Sequence, residues 1–124
     1  MRWGWVLIVL FHVSVSFAQT LADPKEIELL EHRWHAADVW ERIGKTRFLW
    51  SAKVINHTEK SYQVYVYYDL IDANGFPLAR NVAHRLVEPG AIAEIDGDTY
   101  IDSPLLPLVK GSRAVVKRGP PHAR

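Results

Sequence analysis

His32 and His35 stand three residues apart, with Glu28, Glu31 and Asp38 around them. Imidazole nitrogens and carboxylate oxygens are common ligands of zinc and related divalent metals. On a helix, Glu28, His32 and His35 would share one face and could offer those donors to a single ion. On a strand, positions 32 and 35 point to opposite faces and the site is lost. No HExxH pattern and no second matching cluster accompanies the pair. Surface histidines beside a solvated acidic face are therefore the expectation, with no cofactor.

Acyl-transfer chemistry has still less to work with. His84 would need Ser51, Ser61, Ser103 or Ser112 to converge on it, and none of these serines sits in a GxSxG-like elbow. The chain has no cysteine, which removes a thiol nucleophile and a thiolate metal site. Asp96 and Asp98 flank Gly97 in what reads as a turn, without the further oxygens and the glutamate of a calcium loop. Asp69 and Asp72 differ in strand parity. Asn56-His57-Thr58 is a formal N-glycosylation sequon, expected to be a chance match. No catalytic residue is assigned and no enzyme is expected.

The elements that would position these residues are mostly strands. In residues 47–56, RFLWSAKVIN, Phe48, Trp50, Ala52 and Val54 alternate with Leu49, Ser51, Lys53 and Ile55, the period of a half-buried strand. A second strand over 62–72 places Val64, Val66, Tyr68 and Leu70 on the core face. Gln63, Tyr65, Tyr67, Asp69 and Ile71 fall on the other. Asn74-Gly75 marks a turn, Pro77 follows it where a strand can begin without its N–H, residues 78–87 resume as a strand, and Glu88-Pro89-Gly90 turns the chain again. Short strands over 91–95 and 113–117 complete an all-β sandwich. Residues 24–43 are ambiguous. Asp23-Pro24 looks like a helix start and Gly44 like a stop, with Ile27, Leu30, Trp34, Ala37 and Ile43 at roughly helical spacing, yet an edge strand is also compatible.

Residues 68–75, YDLIDANG, resemble the motif that names the FxLYD family of bacterial exported domains. Tyr68 takes the phenylalanine position, Leu70 the leucine, Ile71 the tyrosine and Asp72 the aspartate, with Gly75 closing the turn. Upstream, Trp50 to Asn56 is similar to the family's strand end of small residue, x, valine, x, asparagine. Downstream, Leu86 to Gly90 resembles its leucine and proline-glycine turn, through Pro89 and Gly90. The resemblance covers residues 47–97. It implies an immunoglobulin-like antiparallel β-sandwich without known catalysis, and a first strand over 27–35 competes with a short helix there.

Both ends of the chain carry signals of their own. MRWGWVLIVLFHVSVSFA has Arg2, an apolar run from Val6 to Phe17 and a small-x-small pattern before Gln19, the layout of a cleaved secretory signal peptide. The expected organisation is signal peptide 1–18, one sandwich domain over 19–118 and a flexible tail over 119–124. The chain has 15 basic and 14 acidic residues, so loss of Arg2 leaves 14 against 14. That balance offers no basic stripe for nucleic acid and no pull toward anionic lipid. No membrane span should remain after cleavage.

These features predict an exported, periplasmic or extracellular interaction or structural module, whose partner is another exported or envelope protein. Tyr65 and Tyr67 are the candidate contact residues, because tyrosine buries much area at low entropic cost. A cap formed by 24–43 would instead bury them. Two alternatives are a small metal-binding or hydrolytic accessory protein using His32 and His35, and a pilus-like or adhesin subunit whose edge strand a partner completes.

Overall fold

The structure, a computed structural model, describes residues 19–121. Seven strands form it: β1 Thr20–Leu21, β2 Ile27–Trp40, β3 Lys45–Asn56, β4 Tyr62–Ile71, β5 Pro77–Val87, β6 Ile92–Asp102 and β7 Gly111–Pro121. Short 3-10 turns occupy Glu41–Ile43 and Ser103–Leu108. One sheet has the order β1-β7-β4-β5 and the other β2-β3-β6, all antiparallel. The expected antiparallel β-sandwich is therefore the architecture. The chain changes layer between β1 and β2, β3 and β4, β5 and β6, and β6 and β7, whereas β2–β3 and β4–β5 are consecutive paired strands within one sheet.

Alternation builds the core directly. On β3, Phe48, Trp50, Ala52 and Val54 are buried while their neighbours are half-exposed. On β4, Val64, Val66, Tyr68 and Leu70 are all fully buried. The Trp50 indole stacks on the Tyr68 ring, with centroids 4.9 Å apart and planes 4° apart, tying the two sheets together. Each such buried side chain contributes about 1.5–3 kcal/mol, and no disulfide supplements them.

The turns use their residues as read. The Asp72 carboxylate accepts the N–H groups of Asn74 and Phe76, and Gly75 adopts φ 83°. Pro89 and Gly90, the latter at φ 74°, reverse the chain between β5 and β6, and the Gly90 N–H donates to the Asn56 carbonyl. Asn56 is buried and donates to the carbonyls of Lys60 and Val87, locking two loops to the end of β3.

One open alternative is settled and two expectations are corrected. Of the strand and the short helix left open for 24–43, residues 27–40 form the strand, because they pair with β3 along nearly its whole length. The helix signals at the ends are consumed by single turns: Asp23 caps Lys25 through its carboxylate, and Gly44 ends Glu41–Ile43 with φ 65°. Asp96-Gly97-Asp98 is the middle of β6 and not a turn. Gly97 pairs with Trp50, and a Cβ there would lie 2.9 Å from the indole nitrogen and 2.5 Å from Asn81 Oδ1. Close packing, not turning, calls for the glycine. Finally, β7 continues through Pro121, with Tyr62 opposite Pro121, so residues 119–121 belong to the sheet and not to a tail. Residues 122–124 and the expected signal peptide 1–18 lie outside the described residues.

Candidate functional site

The outer face of β4 carries Tyr65 and Tyr67, with the parity expected for them. Tyr67 lies between Val82 of β5 and Val115 of β7; Tyr65 lies between His84 and Lys117. Both tyrosines are half-buried against these neighbours. The Tyr65 ring sits 5.0 Å from the His84 ring, and the Lys117 ammonium lies 4.8 Å above the Tyr67 ring. The Tyr67 hydroxyl donates to Gln19. Val82 is 48% exposed, and Leu21 of β1, paired with Lys117, is 67% exposed. Residues 27–40 belong to the opposite sheet and do not cap this face.

Asp69 anchors one end of the same face. It is 4% exposed and accepts hydrogen bonds from Arg80 Nε at 2.9 Å and Arg113 Nη2 at 3.1 Å, its neighbours on both flanking strands. Burial would raise this carboxyl, but the two guanidinium groups outweigh it and hold it below the usual carboxylate range. Sequence parity put Asp69 outward; the arginines explain why it is nevertheless buried. Their placement opposite one carboxylate depends on register, which local pattern does not specify.

The histidine constellation does not assemble. His32 pairs with Ala52 on the inner face, whereas His35 pairs with Leu49 on the outer face. The two cannot share an ion. His32 Nδ1 lies 3.1 Å from the Tyr68 hydroxyl, which donates to Ser112 Oγ at 2.9 Å. Burial pushes the Tyr68 phenol above its ordinary range, with Ser112 offsetting only part, so the hydroxyl stays protonated. His84 lies 3.1 Å from Gln63 Oε1. Ser61 donates to Glu88 and Ser103 meets Thr46, while Ser112 is taken by Tyr68. No serine–histidine hydrogen bond occurs among the described residues. The sequon is closed too, since both ends of the Asn56 carboxamide are engaged inside the protein.

Sequence reasoning missed a shallow cleft of about 560 Å³ on the outer face of sheet β2-β3-β6. Arg33, His35, Ser51, Asp96 and Asp98 line it. Asp98 is bound by Arg47 at 2.8 Å and Glu94 by Arg33 at 3.8 Å. The spacing of Asp96 and Asp98 would have placed both on one face had Gly97 been read as part of a strand.

No protein-family model and no curated protein matches this chain. Among solved structures, it is similar to a β-glucuronidase from glycoside hydrolase family 2, at 14% identity and a TM-score of 0.53. The match covers 69% of this chain and 9% of that enzyme, so this chain corresponds to a small part of its length. A Northeast Structural Genomics Consortium target, SoR45, matches at 18% identity, with 67% of each chain covered and a TM-score of 0.47. Campylobacter jejuni cj0090 matches at 13% identity over 77% of this chain and 88% of its own, with a TM-score of 0.39. At these identities the β-glucuronidase likeness concerns the sandwich fold alone.

Proposed function

We propose that this chain is an exported, non-catalytic β-sandwich that binds another exported or envelope protein through the outer face of sheet β1-β7-β4-β5. The observation that carries this reading is the aromatic-aliphatic row Tyr65, Tyr67, Val82 and Leu21, uncovered by any other element among the described residues and edged by Lys117 and His84. Tyrosines held in place by neighbours have little side-chain entropy left to lose, which suits them to anchor a contact. The separation of His32 from His35, and the absence of a serine–histidine bond among the described residues, favour binding over metal-assisted or nucleophilic hydrolysis. Export rests on the leader-like residues 1–18. No helix of the described residues is long and apolar enough to cross a membrane.

Tagged protein incubated with an envelope extract tests the reading. Wild type should retain a saturable partner that the Tyr65→Ser/Tyr67→Ser double variant loses, while the variant keeps its fold by circular dichroism. Equal retention by both proteins removes the tyrosine face from the reading. An N-terminus at Gln19 in the exported product checks the leader; a product that keeps Trp3 and Trp5 refutes cleavage.

A further inference from the structure

β7 is the only strand whose edge is left half-finished among the described residues. Its odd-numbered residues turn their backbone groups toward β4; its even-numbered ones face the opposite way, as the Ala22 N–H bond to the Val116 carbonyl shows. β1 pairs only with Lys117 and Arg118 before the chain crosses at Asp23 to the other sheet. Ser112 and Ala114 therefore present backbone N–H and C=O groups with no backbone partner among the described residues. β7 carries no bulge there, since its ladder with β4 is unbroken from Val64 to Ile71.

The other edges are guarded. β2 has irregularities at Leu29/Glu31 and Ala36/Val39, and such bulges discourage strand addition. β5 and β6, the edges of different sheets, run beside each other without a backbone ladder, and Arg85 Nη1 donates across to the Glu94 carbonyl at 2.8 Å. Beside the open stretch of β7 runs an apolar groove lined by Leu21, Ala22, Ile27, Leu29, Ala114 and Val116. Leu29 and His32, on the inner face of β2, stay partly uncovered there, although their β3 partners Val54 and Ala52 are fully buried.

We infer that residues 111–115 of β7 accept an extended segment of a partner protein as an added strand, with the side-chain pattern apolar–acidic–apolar. Backbone groups spaced two residues apart select an extended chain, the mode of β-augmentation. Residues opposite Ser112 and Ala114 share their inward face and drop apolar side chains toward Leu29. The residue between them faces outward beside Arg113, which shares the single Asp69 carboxylate with Arg80 and stays 43% exposed, so a second carboxylate there offsets the surplus positive charge. A second copy of this strand does not fit: antiparallel pairing of two β7 edges at this stretch sets Arg113 against its own copy. This surface faces away from Tyr65 and Tyr67, although Leu21 borders both.

The test uses an acetylated, amidated peptide Thr-Val-Thr-Val-Glu-Val-Thr-Val-Thr and amide hydrogen exchange followed by NMR. At a peptide concentration of about ten times its Kd, the Ser112 and Ala114 amides should exchange about tenfold more slowly, by mass action. Arg113 and Val115, already bonded to β4, should change little. Replacing the central Glu by Lys should weaken binding, and Tyr65→Ser/Tyr67→Ser should leave it intact. Absence of protection at millimolar peptide overturns the proposal, as does protection confined to the Tyr65–Tyr67 face. Equal binding of the Glu and Lys peptides overturns its acidic position. Retention of the envelope partner by Tyr65→Ser/Tyr67→Ser, with peptide binding intact, would refute the contact-face reading alone.

Discussion

Gly97→Ala puts the packing between the two sheets under direct strain. The new Cβ would sit 2.5 Å from Asn81 Oδ1 and 2.9 Å from the Trp50 indole nitrogen. Asn81 can swing toward solvent, but doing so breaks its 2.7 Å bond with the indole N–H. Trp50 has no such freedom, because its ring is stacked on the buried ring of Tyr68. Losing the hydrogen bond costs about 0.5–1.5 kcal/mol, and overpacking adds about 1–3 kcal/mol. Replacing glycine within a strand returns about 0.5–1 kcal/mol. The balance is a loss of about 2 kcal/mol, or about 8–16 °C in Tm for a domain of this size. Urea unfolding followed by tryptophan fluorescence measures it, and a cycle with Asn81→Ala should be less than additive, because removing the carboxamide relieves the shorter contact. Gly97→Ala that is neutral or stabilising would refute the placement of Gly97 beneath Trp50 and return residues 96–98 to a loop.

Trp50→Ala should cost about 3–5 kcal/mol, as for other large aromatics removed from a core; thermal unfolding checks it, and a loss below about 1 kcal/mol would mean that the other face of β3 is buried. Asn56→Ala leaves the carbonyls of Lys60 and Val87 without their donor and should cost about 3 kcal/mol in denaturant titration. Expression in a glycosylating host should leave folded wild type without a glycan at Asn56, read as unchanged intact mass. Asp69→Asn should destabilise at neutral pH. The folded pKa of Asp69 lies below the unfolded value of about 3.9, so its stabilisation is present above that value and is lost as pH falls through the folded pKa. Wild-type stability should therefore fall more steeply below about pH 4 than that of Asp69→Asn, and parallel pH profiles would contradict the pairing with Arg80 and Arg113.

Local pattern sufficed where one residue type has one physical use. Alternation of Phe48, Trp50, Ala52 and Val54, and of Val64 through Leu70, identified the buried faces, since a strand's side chains change face at every residue. Positive φ at Gly75 and Gly90 followed from turn chemistry that acts within four residues. The same parity placed Tyr65 and Tyr67 on an outer face. Elsewhere the deciding contact is distant in sequence. Residues 27–40 carry both a helical and an extended pattern, and only the ladder offered by β3 selects the strand, separating His32 from His35. Gly97 looks like a turn until Trp50 and Asn81, 47 and 16 positions away, fill the space where its side chain would be. Asp69 looks solvent-facing until register brings Arg80 and Arg113 to its two sides. The sequence by itself determined which faces of the central strands are apolar and where the chain turns. Only the tertiary structure decided which strands lie beside one another, because cross-strand register depends on packing of the whole sandwich; the half-covered edge of β7 is one of its consequences.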